Sequence, residues 1–211
     1  MKYLKIYDNY QTNEEIYKVC EEYNITNYII NIDKSIDVDG DVDLYEMDLD
    51  KLPLNFNYVS GHFNCGDNNL TSLKGSPDKV GGDFSCIYNN LTSLEGCPKE
   101  IGGDFTCGDN NLTSLESAPK EVSGYFNCSY NLLTSLKGCP KKVGQGFYCG
   151  DNMLSSLEDC PEKINGDFEC SYNRLTSLKY CPKEVGGDFN CSNNNLTSLK
   201  YCPKKIGGDF T

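Results

Sequence analysis

The chain has 211 residues, enough for one or two domains with a sizeable core. Its 31 acidic residues outnumber 19 basic ones. The net charge of −12 argues against nucleic acid or an anionic membrane as the main partner, because both bind cations. The single histidine excludes any mechanism that needs two imidazoles. Neither a secretory signal nor a run of roughly 18 apolar residues is visible, so we expect a cytoplasmic protein with no membrane partner.

Residues 1–39 precede any repetition and are predicted to form an N-terminal cap. Thr12 and Glu15 have the spacing of a capping box, and apolar residues then follow with helical periodicity at Ile16, Val19, Cys20 and Tyr23. The runs 27–32 and 36–39, separated by a polar turn, indicate a β-hairpin. Because a terminal repeat needs a cover over the exposed end of its core, we predict that this helix and hairpin supply it.

From residue 40 onwards the chain repeats every 21 residues. Phenylalanine recurs at Phe63, Phe84, Phe105, Phe126, Phe147, Phe168, Phe189 and Phe210. Leucine recurs at Leu70, Leu91, Leu112, Leu133, Leu154, Leu175 and Leu196, each preceded two residues earlier by asparagine. Within each repeat, Phe and Cys alternate with polar residues, which is typical of a short strand with one buried face. One repeat cannot bury a core alone, so we predict a parallel stack of eight turns over residues 40–211, plus a terminal strand at Phe210.

Thirteen cysteines could suggest a disulfide framework, but the number is odd and most of them follow the repeat. Two series run in register, one from Cys65 to Cys191 and one from Cys97 to Cys202, and Ser76 and Ala118 fill gaps in the second. These substitutions favour cysteine as a small apolar residue. Zinc binding is disfavoured because stacked thiols run parallel, whereas a tetrahedral site needs convergent ligands.

The segment Phe-x-Cys-x-x-Asn-x-Leu resembles the Leu-x-Leu-x-x-Asn-x-Leu core of leucine-rich repeats. Seven full copies agree in register, and the 21-residue spacing is similar to short-repeat members from bacteria, phages and large DNA viruses. The resemblance implies a β-rich, right-handed coil with a parallel sheet on one face, and asparagines that hydrogen-bond the backbone of the adjacent turn. Cys-Pro replaces the helical part of each repeat, so we expect an extended or 3₁₀ back.

No residue pattern indicates an enzyme, a cofactor or a metal. Alternating aspartates at 37–43 resemble a calcium loop, but the glycine is misplaced and the required glutamate is missing. A Cys–His nucleophile would have to use His62, whose side chain the strand alternation points away from Cys65. Four Asn-Leu-Thr triplets match glycosylation acceptors only because the repeat contains those letters.

The outward face of the sheet is the candidate binding surface, because leucine-rich repeats usually bind there. Three outward rows carry mainly Asp, Asn and Tyr, and the aspartate row breaks at Tyr125 and Gly146. We predict a partner-binding patch at Tyr125, Asn127, Tyr130, Tyr148 and Tyr172. The alternative is that these residues are tolerated substitutions on a solvated sheet.

Two functions follow from these patterns. The first is a non-enzymatic scaffold for a protein partner, which the resemblance extends to a phage or viral modulator of a host protein. The second is a structural protein that self-associates, as a homodimer, through an uncapped strand edge at Phe210. A basic, aromatic patch around Tyr180 and Tyr201 suggests nucleic acid, which the overall charge disfavours.

Overall fold

A computed structural model describes residues 12–211 of the chain. The expectation that no secretory signal is present concerns residues 1–11, which lie outside the described residues. The predicted N-terminal helix is confirmed as α1 (Asn13–Glu22), which begins with a capping box between Thr12 and Glu15 and buries Ile16, Val19 and Cys20. The capping side chains satisfy amides that the first helical turn leaves without partners.

The hairpin follows α1 and leads directly into the repeats. Strands β1 (Tyr28–Ile30) and β2 (Ile36–Val38) pair antiparallel, and Asp33 caps the turn between them by accepting from the amide and hydroxyl of Ser35. Strand β2 then pairs in parallel with β4 (Phe56–Val59), which lies one turn further along the coil. The hairpin is therefore continuous with a sheet of the coil, and its antiparallel strand lies at the end of that sheet.

The predicted parallel sheet is present and has eight strands, which we call the main sheet. Its strands are β3 (Val42–Asp43), β5 (Phe63–Asn64), β7 (Phe84–Ser85), β9 (Phe105–Thr106), β11 (Phe126–Asn127), β13 (Phe147–Tyr148), β15 (Phe168–Glu169) and β17 (Phe189–Asn190). Each pairs with the strand one turn away in a register of 21 residues, as in Phe126 opposite Phe147. Phe210 continues the series through a single parallel bridge to Phe189.

The core is a stack of identical side chains. The seven phenylalanines from Phe63 to Phe189 are at most 1 % exposed, and successive ring centroids lie 5.2–6.0 Å apart. At these separations the rings gain aromatic contacts in addition to the removal of apolar area from water. The leucines and the strand cysteines form parallel columns beside them.

The buried asparagines form a ladder that joins the turns, as the resemblance implies. In Asn131, Nδ2 donates to the carbonyls of Cys107, Cys128 and Ser129, and Oδ1 accepts from the amide of Leu112 at 2.9 Å. The same contacts recur in every turn from Asn68 to Asn194. We call these residues the asparagine ladder.

A second row of short strands lies on the neighbouring side of the coil, which the sequence analysis does not predict. Its strands are β4, β6 (Lys79–Val80), β8 (Glu100–Ile101), β10 (Glu121–Val122), β12 (Lys142–Val143), β14 (Lys163–Ile164), β16 (Glu184–Val185) and β18 (Lys205–Ile206). Each repeat strand of two residues points Val or Ile inwards and Lys or Glu outwards. Hydrogen bonding divides this second sheet into three segments, with interruptions between β8 and β10 and between β12 and β14.

The two interruptions coincide with two missing glycines. After most of these strands a glycine packs so closely on the preceding turn that an added Cβ would collide with a carbonyl oxygen, as at Gly102, Gly144 and Gly186. The amides of these three glycines donate to the preceding turn at 2.9–3.0 Å. Ser123 and Asn165 occupy this position in the strands that follow the two interruptions. The pairing opens where their Cβ atoms enter the regular stack, whereas Ser60, at the same position, keeps a hydrogen bond to Val38 at 3.0 Å in the irregular first turn.

The rest of each turn is extended and contains tight bends, so the expected extended back is confirmed. Among residues 12–211, α1 is the only helix. The second cysteine series lies in this part of the coil, and Cys160, Cys181 and Cys202 are partly exposed. Ser76, which replaces a cysteine of this series, has a buried hydroxyl with no hydrogen-bond partner. This observation supports the interpretation that the position requires a small apolar side chain.

Candidate functional site

In most turns the residue before the strand phenylalanine joins its turn to the next through its side chain. Oδ1 of Asp83 accepts from the amide of Asp104 at 2.7 Å, and Oδ1 of Asp104 accepts from the amide of Tyr125 at 2.9 Å. The same contact is made by Asp41, Asp167 and Asp188, and Nδ1 of His62 takes the place of the carboxylate in its own turn. We call this set the acceptor row. Its side chains stabilise the coil and are therefore less available to a partner than the sequence suggests.

The glycine before each acceptor makes room for this contact. A Cβ on Gly103, Gly124 or Gly187 would collide with the carboxylate oxygen of the preceding turn. The same position is Gln145 in the turn that follows Tyr125, which has no carboxylate. A side chain is thus tolerated where the acceptor is missing, which explains the Gly-Asp-Phe motif.

Tyr148 covers the break in the acceptor row. Its ring lies over Gly146, where an added Cβ would meet the ring carbons, and its hydroxyl donates to Oδ2 of Asp167 at 3.1 Å. The rings of Tyr125 and Tyr148 meet edge to face, with centroids 5.9 Å apart. Burial and the hydrogen bond to Asp167 raise the pKa of Tyr148 to about 12. These two tyrosines are half-buried and pack on each other, so part of their role is structural.

A different row presents its side chains to solvent. It consists of the residue two positions after each strand cysteine, namely Asp67, Tyr88, Asp109, Tyr130, Asp151, Tyr172 and Asn193. We call it the tyrosine–aspartate row. All seven residues have a left-handed backbone, with φ between 48° and 55°.

The left-handed backbone makes tyrosine an unfavourable choice for this row. Asn and Asp enter the region readily, whereas a bulky side chain costs roughly 1–2 kcal/mol there. Tyr88, Tyr130 and Tyr172 nevertheless occupy every second turn, and their side chains are 52–57 % exposed. Their placement therefore brings no evident gain to the fold, and residues held in strained conformations are concentrated at functional sites.

The row has a strongly negative environment. The charge of Asp151 raises the pKa of Tyr130, and that of Asp67 raises the pKa of Tyr45, whose hydroxyl donates to Asp67. Burial, followed by the charge of Asp151, raises the pKa of the Asp109 carboxyl. The phenols of Tyr130 and Tyr45 thus remain protonated hydrogen-bond donors next to carboxylates.

The structure divides the predicted patch into two groups. Tyr125 and Tyr148 form the covered break described above, and Oδ1 of Asn127 accepts from the amide of Ser129 at 2.9 Å to cap its own strand. Tyr130 and Tyr172 lie in the exposed row. The predicted patch omits Tyr88, although alternation every 42 residues in the sequence places it in the same row. The binding role of the whole patch remains a prediction.

The other candidates are placed as follows. Cys65 is buried and donates to the carbonyl of Ser85, and burial raises its pKa to about 12, while His62 faces solvent. The aspartates at 37–43 each bond a different group of the next turn or their own strand. Within residues 12–211, no group of three or more His, Cys, Asp or Glu side chains is placed to hold a metal ion.

Two further surfaces remain. A groove of about 810 Å³ lies at the first interruption of the second sheet, where Lys79 and Lys99 pair with Glu100 and Asp78, each at 2.9 Å. The ring of Phe210 stacks on Phe189 at 5.4 Å and is 43 % exposed. Self-association through this ring remains a prediction.

No helix in the described part of the chain is long and apolar enough to cross a membrane. No protein-family model matches the chain. A search of curated proteins also gives no significant match.

A solved structure described as a Shigella effector LRR domain is similar to this chain, with a TM-score of 0.65 and 19 % identity. The alignment covers 94 % of this chain and 87 % of the Shigella domain. Identity at this level shows the fold and leaves function open. Together with the 21-residue register and the asparagine ladder, the similarity shows that this chain folds as a solenoid of the leucine-rich-repeat type.

Proposed function

We propose that the chain is a non-enzymatic scaffold that binds a protein partner through the outward side of its main sheet. The contact area includes Tyr130 and Tyr172, with Tyr125, Asn127 and Tyr148 beside them. The observation that carries this proposal is that exposed tyrosines in a left-handed backbone alternate with aspartates along one row, a pattern that Tyr180 and Tyr201, in two successive turns elsewhere, do not form. A coil fixed by hydrogen bonds in every turn loses little entropy on association, which favours a scaffold.

A pair of matched variants tests the proposal. Tyr130→Asn with Tyr172→Asn removes two rings from the row, and Asn193 shows that the row accommodates asparagine in the same backbone conformation. Tyr180→Asn with Tyr201→Asn is the control, because these tyrosines are also left-handed and about half exposed, but lie outside the row beside Lys179 and Lys200.

The measurement is affinity capture from cell extract followed by mass spectrometry. Proteins that bind the wild type and the control, but are lost with the row variant at unchanged Tm, support the proposal. A partner retained equally by both variants contradicts it. The fold shared with an effector domain agrees with a modulator of a host protein acting in the cytoplasm, which we include in the proposal at the level of analogy. Homodimer formation through Phe210 is the alternative prediction, and a strictly monomeric protein across a concentration series removes it.

A further inference from the structure

We propose that the tyrosine–aspartate row binds a basic segment of the partner in the polyproline II conformation, with Lys or Arg at every third residue. This inference rests on the proposed function and specifies the chemistry of the partner. The segment runs along the axis of the coil, across the strands. Its cations pair with Asp67, Asp109 and Asp151, and their alkyl stems lie against the intervening tyrosine rings.

Charge complementarity gives the sign of the partner. The chain carries −12, and in the described residues no lysine side chain is paired with Asp67, Asp109 or Asp151. The row's own carboxylates create a negative field, and the charges of Asp151 and Asp109 raise the pKa of Tyr130. That field repels an acidic partner and gives no attraction to an apolar one, whereas it attracts a cationic partner.

The repeat geometry gives the spacing. Adjacent parallel strands lie about 4.8 Å apart, so aspartates in every second turn are separated by about 10 Å. Three residues of a segment in the polyproline II conformation, which rises about 3.1 Å per residue and has three residues per turn, cover nearly the same distance and return the side chain to the same face. Lysines at every third position of a seven-residue segment therefore align with Asp67, Asp109 and Asp151 simultaneously, whereas spacings of two or four residues do not.

The tyrosines suit the same occupant. Tyr88 and Tyr130 lie between the aspartates, one turn from each, and Tyr172 follows Asp151. An exposed tyrosine attracts a nearby Lys or Arg through its ring face and packs against the methylene groups of the stem. Lys179 and Lys200 already place Nζ 4.6 and 5.0 Å from the ring centroids of Tyr180 and Tyr201, which shows this contact elsewhere on the molecule.

Peptide binding tests the inference directly. The probe is a fluorescein-labelled peptide of three Lys-Ser-Ala units, and its comparison is an isomer of identical composition with lysine at every second position. Fluorescence anisotropy at low salt measures both affinities with the full chain. We expect the every-third peptide to bind about tenfold more tightly, and its affinity to fall as salt is added, because matched ion pairs contribute additively and are screened.

Two triple variants locate the contact. Changing Asp67, Asp109 and Asp151 to Asn should weaken the every-third peptide about tenfold, because three exposed ion pairs are lost together. Changing Glu95, Glu116 and Glu158 to Gln alters the net charge equally outside the row, and should weaken it less than about twofold. Replacing Tyr88, Tyr130 and Tyr172 by Asn should weaken it about fivefold without lowering Tm, since Asn suits the left-handed backbone.

Several outcomes overturn the inference. These are equal affinities for the two isomers, equal losses in the two charge variants, or no binding of the every-third peptide up to about 1 mM. If capture of a protein partner still depends on Tyr130 and Tyr172 while both peptides fail, the partner chemistry is wrong and the proposed function stands. If capture is independent of those tyrosines, the proposed function fails as well.

Discussion

At the scale of the residue, each asparagine of the ladder serves two turns at once. The amide group of Asn131 donates to carbonyls in its own turn and in the preceding one, while its oxygen holds the amide of Leu112. Every group involved is buried, so none can turn to water if the side chain is replaced. An unpaired buried polar group costs about 1–3 kcal/mol, which makes this position sensitive.

We expect Asn131→Leu to destabilise the coil by about 2–4 kcal/mol, because it leaves several buried backbone groups without partners. Asn194→Leu is the matched control, since Asn194 makes the same contacts in a partly exposed turn that water can reach. Its loss should be about half as large. Denaturant unfolding followed by circular dichroism measures both, and equal losses would contradict the dependence on burial.

Some contacts of individual residues can be predicted from the sequence, and others cannot. Periodicity alone predicts the phenylalanine stack and, with the family resemblance, the role of Asn131, because each turn repeats the same environment. It does not reveal that Asp83 accepts an amide from the next turn, since an outward carboxylate and a bonded one have identical sequence patterns. Gln145 could have indicated this contact. It replaces the usual glycine in the turn next to Tyr125, where the preceding turn has no carboxylate.

At the scale of the element, the second sheet is governed by side-chain size at one position. From β6 onwards its strands are only two residues long, so their pairing depends on how closely the following residue approaches the preceding turn. Ser123 and Asn165 keep that distance open and divide the sheet. The sequence pattern does not indicate this sheet, because each of its two-residue strands has a single inward Val or Ile, whereas the main-sheet segment continues the alternation from Phe to Cys.

Glycine at both positions should close the sheet. We expect Ser123→Gly with Asn165→Gly to add backbone hydrogen bonds between β8 and β10 and between β12 and β14. The gain is about 1 kcal/mol, since each bond contributes about 0.5–1.5 kcal/mol and each glycine costs about 0.5–1 kcal/mol in entropy. Hydrogen–deuterium exchange over residues 120–123 and 162–165 should slow.

The reverse substitution provides the control. Gly186→Ser introduces a Cβ against the carbonyl of Asn165 and should speed exchange over residues 184–186. Unchanged exchange in both variants would show that another feature interrupts the sheet.

At the scale of the whole molecule, the buried thiols link stability to pH. Burial raises the pKa of Cys65 to about 12 from the ordinary 9.0, and it also raises those of Cys86, Cys107 and Cys149 well above the ordinary value. The folded state therefore holds these protons more tightly than the unfolded state. The thiols do not change the free energy of unfolding well below pH 9. That free energy falls as pH rises above 9, because only the unfolded chain then forms thiolates.

We expect a steep alkaline unfolding transition at about pH 10 in reducing buffer, because each buried thiol contributes about 1.4 kcal/mol per pH unit and several act together. Circular dichroism during a pH titration measures it. Ala118 shows that alanine fits the column that contains Cys139 and Cys160. Replacing these two cysteines by Ala should make the transition shallower. A transition of unchanged steepness in that variant would exclude the thiols as its cause.

The alternation along the tyrosine–aspartate row has a consequence for how such a chain can grow or shrink. Deleting 21 residues leaves every buried column intact, yet it brings two aspartates or two tyrosines into adjacent turns. Only the loss or gain of 42 residues preserves both the interior and the order of groups outside. The fold therefore tolerates the loss or gain of any whole turn, whereas the exposed pattern is kept only when turns are lost or gained two at a time. Length variants that differ by two turns should keep partner binding, and those that differ by one turn should lose it.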